Sequence, residues 1–270
     1  MVLRIDMHVH TRCSGDSWLA PATVVRVAKA RGLDGIAVTD HGTIRGGLLA
    51  REANDDPAFR VIVGAEYATE LGHVVGLFLT RELDVAPPGG QKLALSEVVR
   101  AIRAQGGIAV LAHPFQVHRG LAERAFAADV RPDAVEAFNA RAPAARFPQA
   151  NAWAAEFARR RGIPALGGSD AHLAREIGRG LTWFQTLGPD VSDDELKRVI
   201  LSGDGTPLGS ASPPIVIPLS QVARMWNRRE FGRAPKIAAR LMLTALGPLG
   251  LRLAEALRGP RRDGPEADVD

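Results

Sequence analysis

A chain of 270 residues, 46% hydrophobic and only 24% charged, has the composition of an ordinary folded core and excludes a disordered or fibrous protein. Its single cysteine, Cys13, excludes an intramolecular disulfide, and no charged-then-apolar leader precedes the first apolar run, so a reducing, cytoplasmic setting is expected. The formal net charge is only +4, but basic residues crowd the segment from Arg224 to Arg262 while most acids lie before it, which suits either an anionic partner or an arginine-rich solvated surface.

In chain order, short runs rich in Val, Ile and Leu alternate with helical patterns, as in β/α units around a parallel sheet. Strands are expected at LRIDMHV (3–9), DGIAVTD (34–40), RVIVGAEY (60–67), HVVGLFL (73–79), GIAVLAH (107–113), DAVEAFN (133–139) and IPALGGSD (163–170). Helices are expected at PATVVRVAKARG (21–32), IRGGLLAREAN (44–54), LALSEVVRAIRAQGG (93–107) and FPQANAWAAEFARRRG (147–162). The first has Pro21 near its start and Gly32 just past its end, where each residue suits a helix terminus. Seven such strands favour a barrel-like (β/α) architecture over an open sheet. A further run, LTWFQTL (181–187), and a helix near DDELKRVILSG (193–203) complete this unit at about residue 210.

SASPPIVIP (210–218) then reads as a linker. The following APKIAARLMLTALGPLGLRLAEALRG (234–259) is amphipathic and basic but too interrupted by charge and proline to span a membrane. It is expected to pack on the barrel, on a second subunit or on a membrane surface. The expected division is a catalytic-type domain over 1–210, a linker and helical extension over 211–258, and a disordered tail over 259–270.

Histidines gather at strand ends. His8 and His10 are one residue apart on the first strand, so alternation turns them to one face. His41 ends the second strand, His73 begins the fourth, His113 ends the fifth and His172 follows the seventh, whereas His118 falls in a loop. Asp16, Asp40, Glu66 and Asp170 accompany them. The C-terminal strand ends form the rim on which (β/α) barrels assemble their sites. Imidazole with carboxylate and no thiolate is a donor set for zinc, manganese or iron rather than for a closed structural zinc site.

The ordered motifs DMHVHT, SGD, TDHGT, GAEY, GHVVG, AHP and GSDAH, from Asp6 to His172, resemble the polymerase and histidinol phosphatase (PHP) family of metal-dependent phosphoesterases. The resemblance implies a distorted seven-stranded (β/α) barrel carrying three divalent metal ions, of Mn, Zn or Fe. By that resemblance the first ion takes His8, His10, Glu66 and Asp170. Glu66 bridges to a second held by His73 and His113, and the third takes Asp16, His41 and His172. Some family members have histidine where Asp16 stands, and the aspartate form resembles the branch acting on nucleotides and small oligonucleotides. Asp6 and Asp40 are placed to hydrogen-bond ligand imidazoles and fix their tautomers. Cys13 reads as a small packing residue.

Such a centre implies hydrolysis of phosphomonoesters by a metal-bridging hydroxide, with Asp170 or His172 protonating the leaving oxygen. Nucleotides, nucleoside bisphosphates or short oligonucleotide ends are the expected substrates. Phosphate recognition calls for fixed donors: Arg119 and His118 first, then Asn139, with Arg12, Arg141 and Arg175 also on the expected rim. The segment between His73 and His113 is too short for an inserted lid domain, which points to an open site. A histidinol-phosphate phosphatase and a metal-stabilised, non-catalytic scaffold or accessory module are the competing readings. A barrel amidohydrolase lacks a strand-end lysine suited to carboxylation.

Overall fold

The computed structural model describes residues 2–85, 92–116, 120–144, 147–185, 188 and 190–247. His118, Arg119 and the expected tail over 259–270 lie outside the described residues. In chain order the sheet-forming strands are β1 (Leu3–Val9), β2 (Gly35–Val38), β3 (Arg60–Thr69), β4 (Gly72–Leu77), β5 (Ile108–Ala112), β6 (Ala134–Asn139), β7 (Ala165–Gly168), β8 (Gly180–Phe184) and β9 (Gly205–Gly209). The helices are α1 (Pro21–Ala30), α2 (Arg45–Glu52), α3 (Leu95–Arg103), α4 (Leu121–Ala127), α5 (Ala150–Arg161), α6 (Asp193–Ser202), α7 (Val216–Arg228) and α8 (Ala234–Ala245).

The strands form one sheet in the order β7-β6-β5-β4-β3-β2-β1-β8-β9. This corrects the expected seven-stranded barrel: there are nine strands among the described residues, and the sheet is mixed. Strands β1, β2 and β3 run parallel, as do β5, β6 and β7, but β4 is antiparallel to both neighbours. The cause is the connection. Thr69 pairs directly with Gly72, leaving only Glu70 and Leu71 for the turn, and a two-residue hairpin cannot return a strand in parallel. Strands β8 and β9 are likewise antiparallel additions beside β1. β9 carries no apolar alternation, and its Pro207 suits a strand at the end of the sheet.

The sheet nearly closes because β1 is shared. Its first half pairs with β8, while its second half bonds the chain leaving β7: Asp170 N donates to His8 O at 2.8 Å and His10 N to Ala171 O at 2.9 Å. Gly168 is required at this seam. A Cβ there would overlap Cβ and N of His8. A register shift in β1 between Asp6 and Val9 changes the side-chain parity. Leu3, Ile5 and Met7 therefore face the barrel interior with Leu77, Val110 and Leu166, while Val9 joins the outer cluster under α1. His8 shares a small internal cavity with Met7 and Glu136, so the shift turns an imidazole inward.

The helices cover the outside. α1 starts at Pro21, which needs no N–H there, and buries Val24, Val25 and Ala28 on one stripe. α3 and α5 cover the other flank with Val98, Val99, Ile102, Phe157 and Ala158. Each fully buried Val, Leu, Ile or Phe contributes about 1.5–3 kcal/mol. The chain leaves the sheet at Gly209. The expected linker over 210–218 is corrected in part: α7 begins at Val216. Pro218 lies in its first turn, where proline removes no intrahelical bond. α8 packs on α7, with Ile237 its buried anchor. Among the described residues, no helix is long and apolar enough to cross a membrane.

Candidate metal centre

The rim gathers all nine expected ligand positions, with Glu66, buried in β3, at the hub of the histidines. Its Oε1 lies 2.6 Å from His73 Nδ1 and 3.0 Å from His113 Nε2. Its Oε2 lies 3.0 Å from His41 Nδ1 and 3.4 Å from Nε2 of both His8 and His10. The His8 and His10 Nε2 atoms are 3.1 Å apart. His73 reaches the rim from the start of its strand because β4 runs opposite to its neighbours. Asp170 Oδ1 lies 3.3 Å from His10 Nε2, and Asp16 Oδ2 lies 3.1 Å from His41 Nε2 and 3.3 Å from His172 Nε2.

Three groups present donor atoms close enough to share an ion: His8 with Glu66 and His113; His8 with His10 and Asp170; and His10 with Asp16, His41 and His172. His10 thus faces two positions, a finer division than the sequence suggested. Two of these residues hold unusual backbone: His113 at φ 29° and Asp170 at φ 54°, in the left-handed region that non-glycine residues rarely occupy.

The donors fit divalent cations. Asp16 Oδ1 is buried with no hydrogen-bond partner, an arrangement that costs free energy unless a ligand satisfies it. Burial alone would raise the Glu66, Asp170 and Asp16 carboxyl pKa values, but the surrounding imidazoles outweigh it and hold all three below the usual carboxylate range. Burial pushes the His8, His10, His41 and His113 imidazoles down, and the carboxylates more than reverse this, taking His41 up to about 10. The pocket is thus arranged for positive charge.

The supporting contacts differ from expectation. Neither Asp6 nor Asp40 bonds an imidazole. Asp6 accepts backbone N–H groups of Ser169 at 2.8 Å, Gly178 at 2.7 Å and His8 at 3.3 Å, bracing the β1–β7 seam. Asp40 accepts from Thr11 N and Oγ1, both at 2.6 Å, beneath Gly46 of α2, where a Cβ would strike this pair. The imidazole partner is instead Glu136, unremarked in the sequence: Oε1 lies 3.0 Å from His8 Nδ1, and Oε2 accepts His113 N at 2.9 Å. Ser14 Oγ lies 3.0 Å from His10 Nδ1 and accepts His41 N at 3.1 Å. A carboxylate within an apolar strand run was the available signal for Glu136, since a buried charge demands a partner.

Two of the expected phosphate-binding residues, Asn139 and Arg141, are engaged elsewhere. Asn139 is fully buried. Its amide donates to Glu136 and Asp170, and its Oδ1 accepts from Gln116 and the backbone of Arg141 and Ala142. These bonds tie Asn139 to Glu136 and Asp170 and leave it no free edge for substrate. Arg141 is buried in an ion pair with Glu176 at 2.8 Å. Arg12 and Arg175 are exposed at the rim. His172 Nδ1–H donates to the Asp170 carbonyl at 2.8 Å, which leaves Nε2 as a lone-pair donor toward Asp16. That is a ligand's arrangement; no free N–H stands behind the expected proton donation by His172.

The PHP domain model matches residues 6–111, and the PHP-associated model matches residues 148–204. Uncharacterized protein MJ1587 of Methanocaldococcus jannaschii is 35% identical over 149 residues, which cover 51% of this chain and 82% of that one. Among solved structures, a two-domain protein from Bacteroides vulgatus containing a predicted PHP-like metal-dependent phosphoesterase shares the fold at TM-score 0.58 and 18% identity, over 78% of this chain and 65% of that chain, just under two thirds. Endonuclease Q, bound to a 27-mer duplex substrate with an abasic lesion at the active site, matches at TM-score 0.54 and 18% identity, over 74% of this chain and 56% of that one. The chain belongs to the PHP family.

Proposed function

We propose that this protein is a metal-dependent phosphoesterase that hydrolyses phosphomonoesters on nucleotides, nucleoside bisphosphates or short oligonucleotide ends. The observation that carries the reading is the clustering of nine imidazole and carboxylate side chains, Glu66 among them, with a buried carboxylate oxygen of Asp16 left unpartnered. His8, His10, Glu66 and Asp170 would hold one ion, Glu66, His73 and His113 a second, and Asp16, His41 and His172 a third. Bound divalent ions supply an activated water and neutralise charge on a phosphoryl group. The protein's own part is positional. Glu136, Ser14 and Asn139 orient the donor atoms, and apolar β-strand packing beneath them excludes bulk water. Asp170, held ionised by the surrounding imidazoles, is suited to offer a charged donor atom to an ion and not to accept a proton, since a carboxylate with a lowered pKa is a weak base. The exposed guanidinium of Arg12, on the same loop as Asp16, is suited to meet a substrate phosphate. The likeness to Endonuclease Q supports nucleic acid as the substrate class.

The test is phosphate release by the manganese-reconstituted protein from phosphomonoesters, nucleoside bisphosphates and short oligonucleotides, with His10→Ala in parallel. Turnover that collapses in His10→Ala supports the reading. Equal release by both proteins sinks the site. Several bound ions without any turnover would make the chain a metal-stabilised scaffold, and turnover of histidinol phosphate alone would replace the nucleotide substrate.

A further inference from the structure

Helix α7 lies beyond both family-matched regions, yet it is fastened to the metal rim at both of its ends. At its start, Arg141 Nη2 donates to Val216 O at 3.3 Å and to Ser220 Oγ at 2.9 Å, while Arg141 Nε donates to Glu176 Oε1 at 2.8 Å. Glu176, fully buried, accepts on Oε2 the backbone N–H groups of His172 at 3.1 Å and Leu173 at 3.0 Å. At its far end, Asn227 Nδ2 donates to Gly15 O at 3.3 Å, and a Cβ on Gly15 would lie 3.5 Å from Arg228 Nε. Gly15 separates Ser14, which holds His10 and His41, from Asp16.

One helix is therefore tied to the loop before Asp16 and to the loop carrying His172, two segments remote in sequence that furnish two members, Asp16 and His172, of the group completed by His10 and His41. The His8, Glu66 and His113 group is supported differently, by Glu136 from inside the barrel. Among the described residues, the hydrogen bonds that join α7 to the barrel run to Arg141 and Gly15.

We infer that α7 is a brace for one cation position: its docking sets the separation of Asp16 from His172, and so the affinity of that position alone. Arg141, Glu176, Asn227 and Arg228 act as positioning residues through the two loops. The C-terminal extension is then a part of the metal centre, and displacement of α7 empties one position while the Glu66 side stays filled. This rests on the metal-centre reading above.

The experiment is titration of full-length, metal-stripped protein with manganese, with elemental analysis of bound equivalents and a thermal melt of each variant. Arg141→Lys keeps a cation beside Glu176 but loses the second arm that reaches Val216 and Ser220. It is expected to weaken one equivalent by roughly 10–100-fold, the usual effect of an outer-shell contact, and to leave the others. Glu136→Gln is expected to weaken a different equivalent. If Arg141→Lys does not fold, the exposed pair Asn227→Ala with Arg228→Ala must weaken the same equivalent by a smaller factor. Uniform weakening of all equivalents, the same equivalent lost in both Arg141→Lys and Glu136→Gln, or unchanged binding in the folded variants overturns the brace. A wild-type protein that binds no divalent ion overturns the metal centre itself.

Discussion

The metal rim and the C-terminal extension depart from ordinary burial in opposite directions. The rim hides Asp6, His8, His10, Asp16, Asp40, Glu66 and Glu136 from solvent, each with partners except one oxygen of Asp16. The extension instead exposes Trp226, Phe231, Met242 and Leu246 among arginines and Lys236. A buried polar network is costly unless every member is satisfied, so its members are coupled and each substitution propagates. An exposed apolar side chain has few partners, so its loss is felt locally. The contrast teaches where a small change has large consequences.

The largest effect belongs at Glu66, the hub of the rim. Glu66→Gln is expected to remove bound ions and to lower turnover by more than the ~100-fold typical of an outer-shell contact, as measured by metal content and initial rates. A variant that retains all ions would detach Glu66 from the centre. Next comes Glu136→Gln, expected to weaken metal affinity by about 10–100-fold with the fold intact, read by titration and circular dichroism.

A third test uses protons. Because the pKa values of His8, His10 and His113 are raised and that of His41 reaches about 10, the metal-free protein holds protons that an incoming ion must displace. Metal affinity should rise with pH, and calorimetry in buffers of different ionisation enthalpy should count the released protons. The sign for stability is opposite. A raised imidazole pKa stabilises the folded state fully below the ordinary value of 6.5 and ceases to do so as pH rises through the folded value. The melting temperature of metal-free protein should therefore fall from pH 6.5 toward about 10, and loaded protein should resist this fall. Absence of proton release would show the histidines neutral before binding.

The smallest effects lie in the extension and divide it. Ile237→Ala, at the one buried anchor among the described residues of α8, should cost about 2 kcal/mol in denaturant unfolding. Met242→Ala, on the exposed side, should stay within about 0.5 kcal/mol. Equal costs would mean that Met242 is covered in solution.

How much of this was legible depended on what each residue says by itself. His8, His10, His41, Glu66, His73, His113, Asp170 and His172 could be read because imidazoles and carboxylates within or beside apolar strand runs are chemically conspicuous at short range. Glu136 could not, since its partner His8 is 128 positions away and no local spacing announces the pair. Asp6 and Asp40 read as supports for imidazoles, yet they hold backbone N–H groups and a hydroxyl, because a sequence does not show which donors the fold brings to a carboxylate. The parallel core strands followed from their apolar runs. The reversal at β4 turns on a two-residue hairpin, β9 on pairing without a hydrophobic pattern, and α7 on Pro218, which reads as part of a linker although it lies in a first turn.

The left-handed backbone at His113 and Asp170 sets these two positions against themselves. Each such conformation costs on the order of 1–3 kcal/mol, a strain that glycine would relieve and asparagine would bear more easily. A selection for thermal stability of the ion-free chain would thus drift toward those residues and erase donors from the rim. Stability screens on this scaffold should hold both positions fixed, or they will reward the loss of what the barrel is built to present.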